Sequence, residues 1–296
     1  MRDRLVGAAI LLAALCLSWG IIRIGLAVGP GAVAAVVGEI RTAGQGAAAE
    51  TVFSLVVFAP LLLAGLAGGA IGRRNAAAPG DRPWPSLGVG LLIGSGGVAA
   101  AVCYAWLAGG LTSGVAAPVA TLLAWGLAVV LVQTAAEEVF FRGWLQPALA
   151  ARWGAAPAVG AAALAFAALH IAGAPEMLGA VPLLNMVLGG VMFGLLALLR
   201  RGIAAALGVH WAWNASEQLL WGLDPNPGTG GFGAAMNKEL TGSAIWGGSA
   251  DGLNGSIGMT VVLLAILAPL VALAWQDRNR PQVPPGAALT ASPQPG

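Results

Sequence analysis

His170 and His210 are the only histidines in the 296-residue chain, and each sits inside a long run of apolar residues. A third such run carries a carboxylate pair, in Ala135-Ala136-Glu137-Glu138-Val139-Phe140-Phe141-Arg142. Ionisable groups at membrane depth are costly, so each is a functional candidate by default. On a helix, residues four apart share a face. Glu138 therefore faces Arg142, with the acid N-terminal to the base, the better orientation for an ion pair. Glu137 is turned about 100° away and is left free for chemistry. The competing reading makes both acids an interfacial cap at the cytoplasmic end of their span. Phe166 lies one turn before His170, where it packs beside the imidazole, fixes its rotamer and dries its surroundings. Asn214 lies four residues after His210, so both polar groups point the same way. A His and an Asn amide on one face make two hydrogen-bond donors aimed at one point, which is what an oxyanion site needs. Helix–helix hydrogen bonding is the alternative role for Asn214.

The elements that must hold these groups follow from composition. The chain is 58% hydrophobic and 9% charged, with a mean hydropathy of +0.84. Soluble domains carry about 25% charged residues, so an ordinary globular protein is excluded. No Asp, Glu, Lys or Arg occurs between Arg82 and Glu137, and further uncharged runs cover 5–22, 51–72, 153–175, 177–199 and 252–276. About 20 apolar residues span a bilayer as a helix. The runs do not alternate apolar with polar, which excludes a transmembrane β-barrel. The 45 glycines suit close packing of membrane helices.

The expected fold is an all-α polytopic membrane helix bundle of about eight transmembrane helices, near 5–28, 51–72, 87–108, 117–140, 156–173, 179–199, 202–221 and 257–275. The first span is read as an uncleaved anchor rather than a signal peptide. A rise of about 1.5 Å per residue lets Glu137, His170 and His210 meet near the midplane. With a cytoplasmic N-terminus, Arg2, Arg4, Arg73, Arg74, Arg82, Arg152, Arg200, Arg201, Arg278 and Arg280 all fall inside, and Arg41 and Lys238 fall outside. This bias predicts that both termini are cytoplasmic. Residues 222–256 read as an outer loop, in part re-entrant. Residues 1–280 form a single bundle, and the proline-rich tail 281–296 is expected to be disordered. Cys16 and Cys103 are read as small buried hydrophobes, not as a disulfide or a metal site.

Three motifs now stand in order: Glu137-Glu138-x-x-x-Arg142, Phe166-x-x-x-His170 and His210-x-x-x-Asn214. Together they resemble the CPBP (CAAX protease and bacteriocin-processing, or Abi) family of intramembrane proteases, which includes the type II CAAX prenyl endopeptidases. The resemblance covers about 115–220, and residues 1–110 match only as generic spans. It implies that Glu137 and His170 activate a water, with Glu137 as general base, and that His210 and Asn214 stabilise the oxyanion. Glu138, Arg142 and Phe166 would support the site. Glu137, His170 and His210 could instead bind zinc with an open water position, but the spacing is not His-Glu-x-x-His. A metal-independent glutamate-type site is the favoured reading.

The function expected is that of an intramembrane endopeptidase. Two alternatives stand beside it: a non-catalytic bacteriocin-immunity or scaffold protein, and a proton- or cation-coupled transporter. The partners implied are a membrane or lipidated peptide and the bilayer, with no nucleic acid. The high share of Arg over Lys, with abundant Ala and Gly, looks like coding from a GC-rich bacterial genome, and the expected location is the bacterial inner membrane.

Overall fold

The structure is a computed structural model describing residues 1–114, 121–173, 179–228 and 230–279. The expected disorder of 281–296 falls outside these residues. Among the described residues, seven helices are long and apolar enough to cross a membrane. They are α1 (Arg2–Val36), α2 (Ala43–Ile71), α3 (Pro83–Leu107), the continuous helical stretch Leu123–Trp153, α6 (Ala155–Gly173), α7 (Ala180–Leu199) and α9 (Ile257–Asn279). The stretch 123–153 comprises α4 (Leu123–Glu138), a π-helical turn (Val139–Leu145) and α5 (Gln146–Trp153).

The eighth helix expected from the sequence is present as α8 (Ala204–Ala215), extended by a second π-helical turn, Ser216–Trp221. It falls outside the seven because it carries His210, Asn214, Glu217 and Gln218. The polarity that makes this helix interesting is what removes it from an apolarity count. The fourth span also runs to Trp153 rather than ending near residue 140. Arg142 does not end it, because its guanidinium is buried and paired inside the protein.

Stretch 123–153 forms the centre of the packing, with Phe140, Phe141, Leu145 and Leu149 fully buried. Helix α8 is locked against α3 by small residues. A Cβ added at Gly90 would collide with the Ala205 carbonyl, one at Gly94 with that of Val209, and one at Gly208 with that of Leu87. Backbones this close are what small residues spaced four apart permit between membrane helices. The contact fixes the height and rotation of α8, and so of His210.

The two ends of the bundle differ. At one end Arg152 pairs with Asp3 at 3.0 Å, the Trp153 indole donates to the Arg4 carbonyl, and Ile203 N donates to Ala78 O at 3.0 Å. This end gathers the arginine-rich segments. At the other, Gly231 N donates to Glu50 Oε2 at 2.7 Å. There the segment expected as an irregular loop holds a small sheet. Strand β1 (Leu111–Ser113) pairs antiparallel with β3 (Lys238–Leu240), which pairs parallel with β2 (Leu223–Asp224). Two 3₁₀ turns, Ala244–Trp246 and Gly252–Gly255, follow. Leu223, Leu240 and Leu253 are buried in the main core, so apolar anchors pull the segment down onto the bundle. The cysteines correct a second expectation: Cys16 and Cys103 are free, but exposed on the bundle surface rather than buried.

Candidate active site

Glu137 and Glu138 end α4, immediately before the first π-helical turn. Single π turns widen a helix locally and occur often at functional sites. Both acids are buried, Glu138 completely. Arg142 Nη1 donates to Glu138 Oε1 at 3.1 Å, and Nη2 donates to the Gly190 carbonyl of α7 at 3.1 Å. The guanidinium also lies over the rings of Phe166 and Phe193, 4.5 and 5.0 Å from their centroids. Arg142 therefore ties α4 to α6 and α7 from within.

His210 bridges the two glutamates. Its Nδ1 is 2.9 Å from Glu138 Oε1, and its Nε2 is 3.3 Å from Glu137 Oε2. Glu138 Oε1 already accepts from Arg142, so it is an acceptor for His210 too, and Nδ1–H donates. The ring is stacked on Phe193, with centroids 4.7 Å apart and planes 17° apart, and meets the edge of Phe166. Glu138 thus touches both Arg142 and the site imidazole. Spacing alone suggested only the first contact.

His170 stands on the other side of Phe166, with ring centroids 4.5 Å apart. Its Nδ1 is 2.9 Å from the Phe166 carbonyl. A carbonyl can only accept, so Nδ1 carries a proton and donates, which leaves Nε2 as the ring nitrogen not bound to the backbone. The structure brings Glu137 to His210 rather than to His170. His170, His210 and Asn214 meet instead around a cavity of about 280 Å³, with Phe166, Phe193 and Asn185 in its walls. A larger cavity, about 420 Å³, opens beside Arg74 and Arg201 at the arginine-rich end and reaches Arg142 and Gln146 from behind. It touches neither histidine.

The metal reading can be tested on the donor set. Both ring nitrogens of His210 face carboxylates, and Nδ1 of His170 is committed to a carbonyl. Among the described residues, no group of three or more His, Cys, Asp or Glu side chains is placed to hold a metal ion. Glu137, His170 and His210 as arranged do not form a ligand set.

Three groups at the site went unread in the sequence. Phe193 of α7 supplies the face on which His210 stacks. Gln146 is buried and donates to the Gly194 carbonyl at 2.9 Å. Glu217 is 3% exposed and lines the same cavity as the histidines. Glu217 was detectable, being an ionisable residue in an expected span, on the face of His210 and Asn214. The other two carry no signal separable from ordinary core packing.

Fold and site define a multi-pass integral membrane protein with a carboxylate–imidazole centre inside its helices. A family model described as Type II CAAX prenyl endopeptidase Rce1-like matches residues 119–216. That segment holds all three motifs and is similar to the CAAX-protease family. No curated protein and no solved structure matches the chain.

Proposed function

We propose that the protein is a metal-independent intramembrane endopeptidase that hydrolyses a peptide bond of a membrane-associated or lipidated peptide. The observation that carries this reading is His210 held between two buried glutamates, with one face of the site open to a cavity shared with His170 and Asn214. A proton must lie between Glu137 Oε2 and His210 Nε2, because two lone pairs would repel at 3.3 Å. A movable proton beside a cavity is what general acid–base catalysis requires.

In this reading a water in the cavity, positioned by His170 Nε2, gives its proton to Glu137 as its oxygen bonds to the scissile carbonyl carbon. The carbonyl oxygen becomes an oxyanion that accepts from His210 Nε2–H and the Asn214 amide. Collapse of the tetrahedral intermediate breaks the C–N bond, and Glu137 returns its proton to the leaving amine. Glu138 and Arg142 orient the imidazole throughout. We further place the protein in a bacterial plasma membrane with both termini inside, the arrangement that puts the arginine-rich end in the cytoplasm.

Peptidomics of membranes from cells expressing the intact protein or Glu137→Ala tests the activity. Peptides cut only in the presence of the intact protein are expected. Identical peptide sets, together with an ion flux in reconstituted vesicles, would replace the protease with a transporter. For the orientation, cysteine labelling at positions 230 and 290 should succeed from opposite sides of the membrane. Labelling both from one side would overturn it.

A further inference from the structure

Resting on that protease reading, we propose that Glu217 is the carboxylate of a substrate subsite that takes a cationic side chain, lysine or arginine, of the bound peptide. His210, Asn214 and Glu217 lie four and three residues apart along one helix, on the same face, and all line the one cavity. Glu217 Oε2 accepts from the Asn254 amide at 2.9 Å. Asn254 is oriented for this, because its own Oδ1 accepts from the Trp213 indole at 3.4 Å and its backbone carbonyl from Asn185 at 2.8 Å. Glu217 Oε1 is buried and has no hydrogen-bond partner.

Among the described residues, no Lys, Arg or His pairs with Glu217. A carboxylate accepts at about four lone-pair sites, and buried charges are ordinarily paired. Here only neutral donors, the Asn254 amide and the Trp213 indole, hold the carboxylate in place, and no cation of the chain balances its charge. A peptide ammonium or guanidinium entering the cavity is a donor of the right charge. The seven residues from His210 to Glu217 rise about 10 Å. Extended peptide covers about 3.3 Å per residue, so the cation belongs within about three residues of the scissile bond.

Two readouts test the subsite separately from the chemistry. The first is thermal unfolding of purified protein with hexylammonium chloride, with hexanol and sodium chloride as controls. Hexylammonium should raise the Tm of the wild type and of Glu137→Gln by about 2–3 °C at ten times its Kd, and should not protect Glu217→Gln. Equal protection of wild type and Glu217→Gln, or equal protection by sodium, would overturn the proposal. If the glutamine variant does not fold, Glu217→Met, close in volume and uncharged, takes its place. The second readout is the set of cleavage sites. Wild-type sites should carry Lys or Arg within three residues of the cut, and Glu217→Gln should lower the preference for such peptides over uncharged ones by about 10- to 100-fold. An unchanged preference would sink the subsite. Persistent cleavage by Glu137→Gln would instead sink the catalytic assignment, and the hexylammonium result would still decide the subsite.

Discussion

Two buried carboxylates flank His210, Glu138 bonded to its ring and Glu217 on the cavity that the ring lines, and they are treated in opposite ways. Glu138 faces a guanidinium at 3.1 Å and an imidazole at 2.9 Å, between aromatic rings. Glu217 faces only neutral donors, the Asn254 amide at 2.9 Å and the Trp213 indole, and its Oε1 has no hydrogen-bond partner. Glu138 Oε2 and Arg142 Nε also lack hydrogen-bond partners, so the contrast lies in charge rather than in complete satisfaction. The Glu138 cluster carries its own cation and holds its shape without a ligand. The Glu217 cluster has fixed geometry and no cation. Charge balance supplied from within suits a device that must orient a catalytic imidazole. Charge balance left open suits a place where something binds.

The comparison breaks most sharply at Glu138. Glu138→Gln strands Arg142 as an uncompensated buried cation, which typically costs about 3–5 kcal/mol. A large fall in Tm in detergent is expected, with cleavage reduced as well because His210 loses its orienting carboxylate. The double variant Glu138→Gln/Arg142→Met should recover much of the lost stability and none of the activity. A wild-type Tm for Glu138→Gln would remove the distinction between the clusters.

Asn214 comes next. Loss of one oxyanion donor lowers turnover about 100- to 1,000-fold. Asn214→Ala should show that loss with little change in apparent affinity or melting temperature. Full turnover in folded protein would refute the oxyanion role, and lost stability with intact turnover would make Asn214 a helix-packing residue.

The smallest expected effect lies at Glu217. Glu217→Met removes no ion pair and leaves one Asn254 donor unsatisfied, a cost of about 1–3 kcal/mol. Calorimetry should therefore rank it clearly below Glu138→Gln. The reverse ranking would mean that Glu217 is a structural residue.

Much of this was legible in the sequence, for identifiable reasons. Uncharged runs as long as a bilayer core pointed to helices, and seven such helices are present among the described residues. Helical spacing placed Glu138 on Arg142 and Phe166 beside His170. What it could not place were contacts between helices. That His210 reaches both glutamates depends on α8 seating into α3 through Gly90, Gly94 and Gly208, a fit no single-helix pattern encodes. The sheet formed by 111–113, 223–224 and 238–240 was missed because its strands are too short to show alternation. Cys16 and Cys103 were misplaced because an apolar run does not say which face turns to lipid.

The central claim is that Glu137 is the base of a peptide-cleaving site, and one measurement meets it directly. A membrane peptide cut by the wild type is incubated with purified Glu137→Gln, and cleavage rate and melting temperature are recorded on the same preparation. The substitution keeps shape and removes the base. We expect no detectable cleavage from a protein that melts within a few degrees of wild type. Wild-type cleavage by a folded Glu137→Gln protein would contradict the claim.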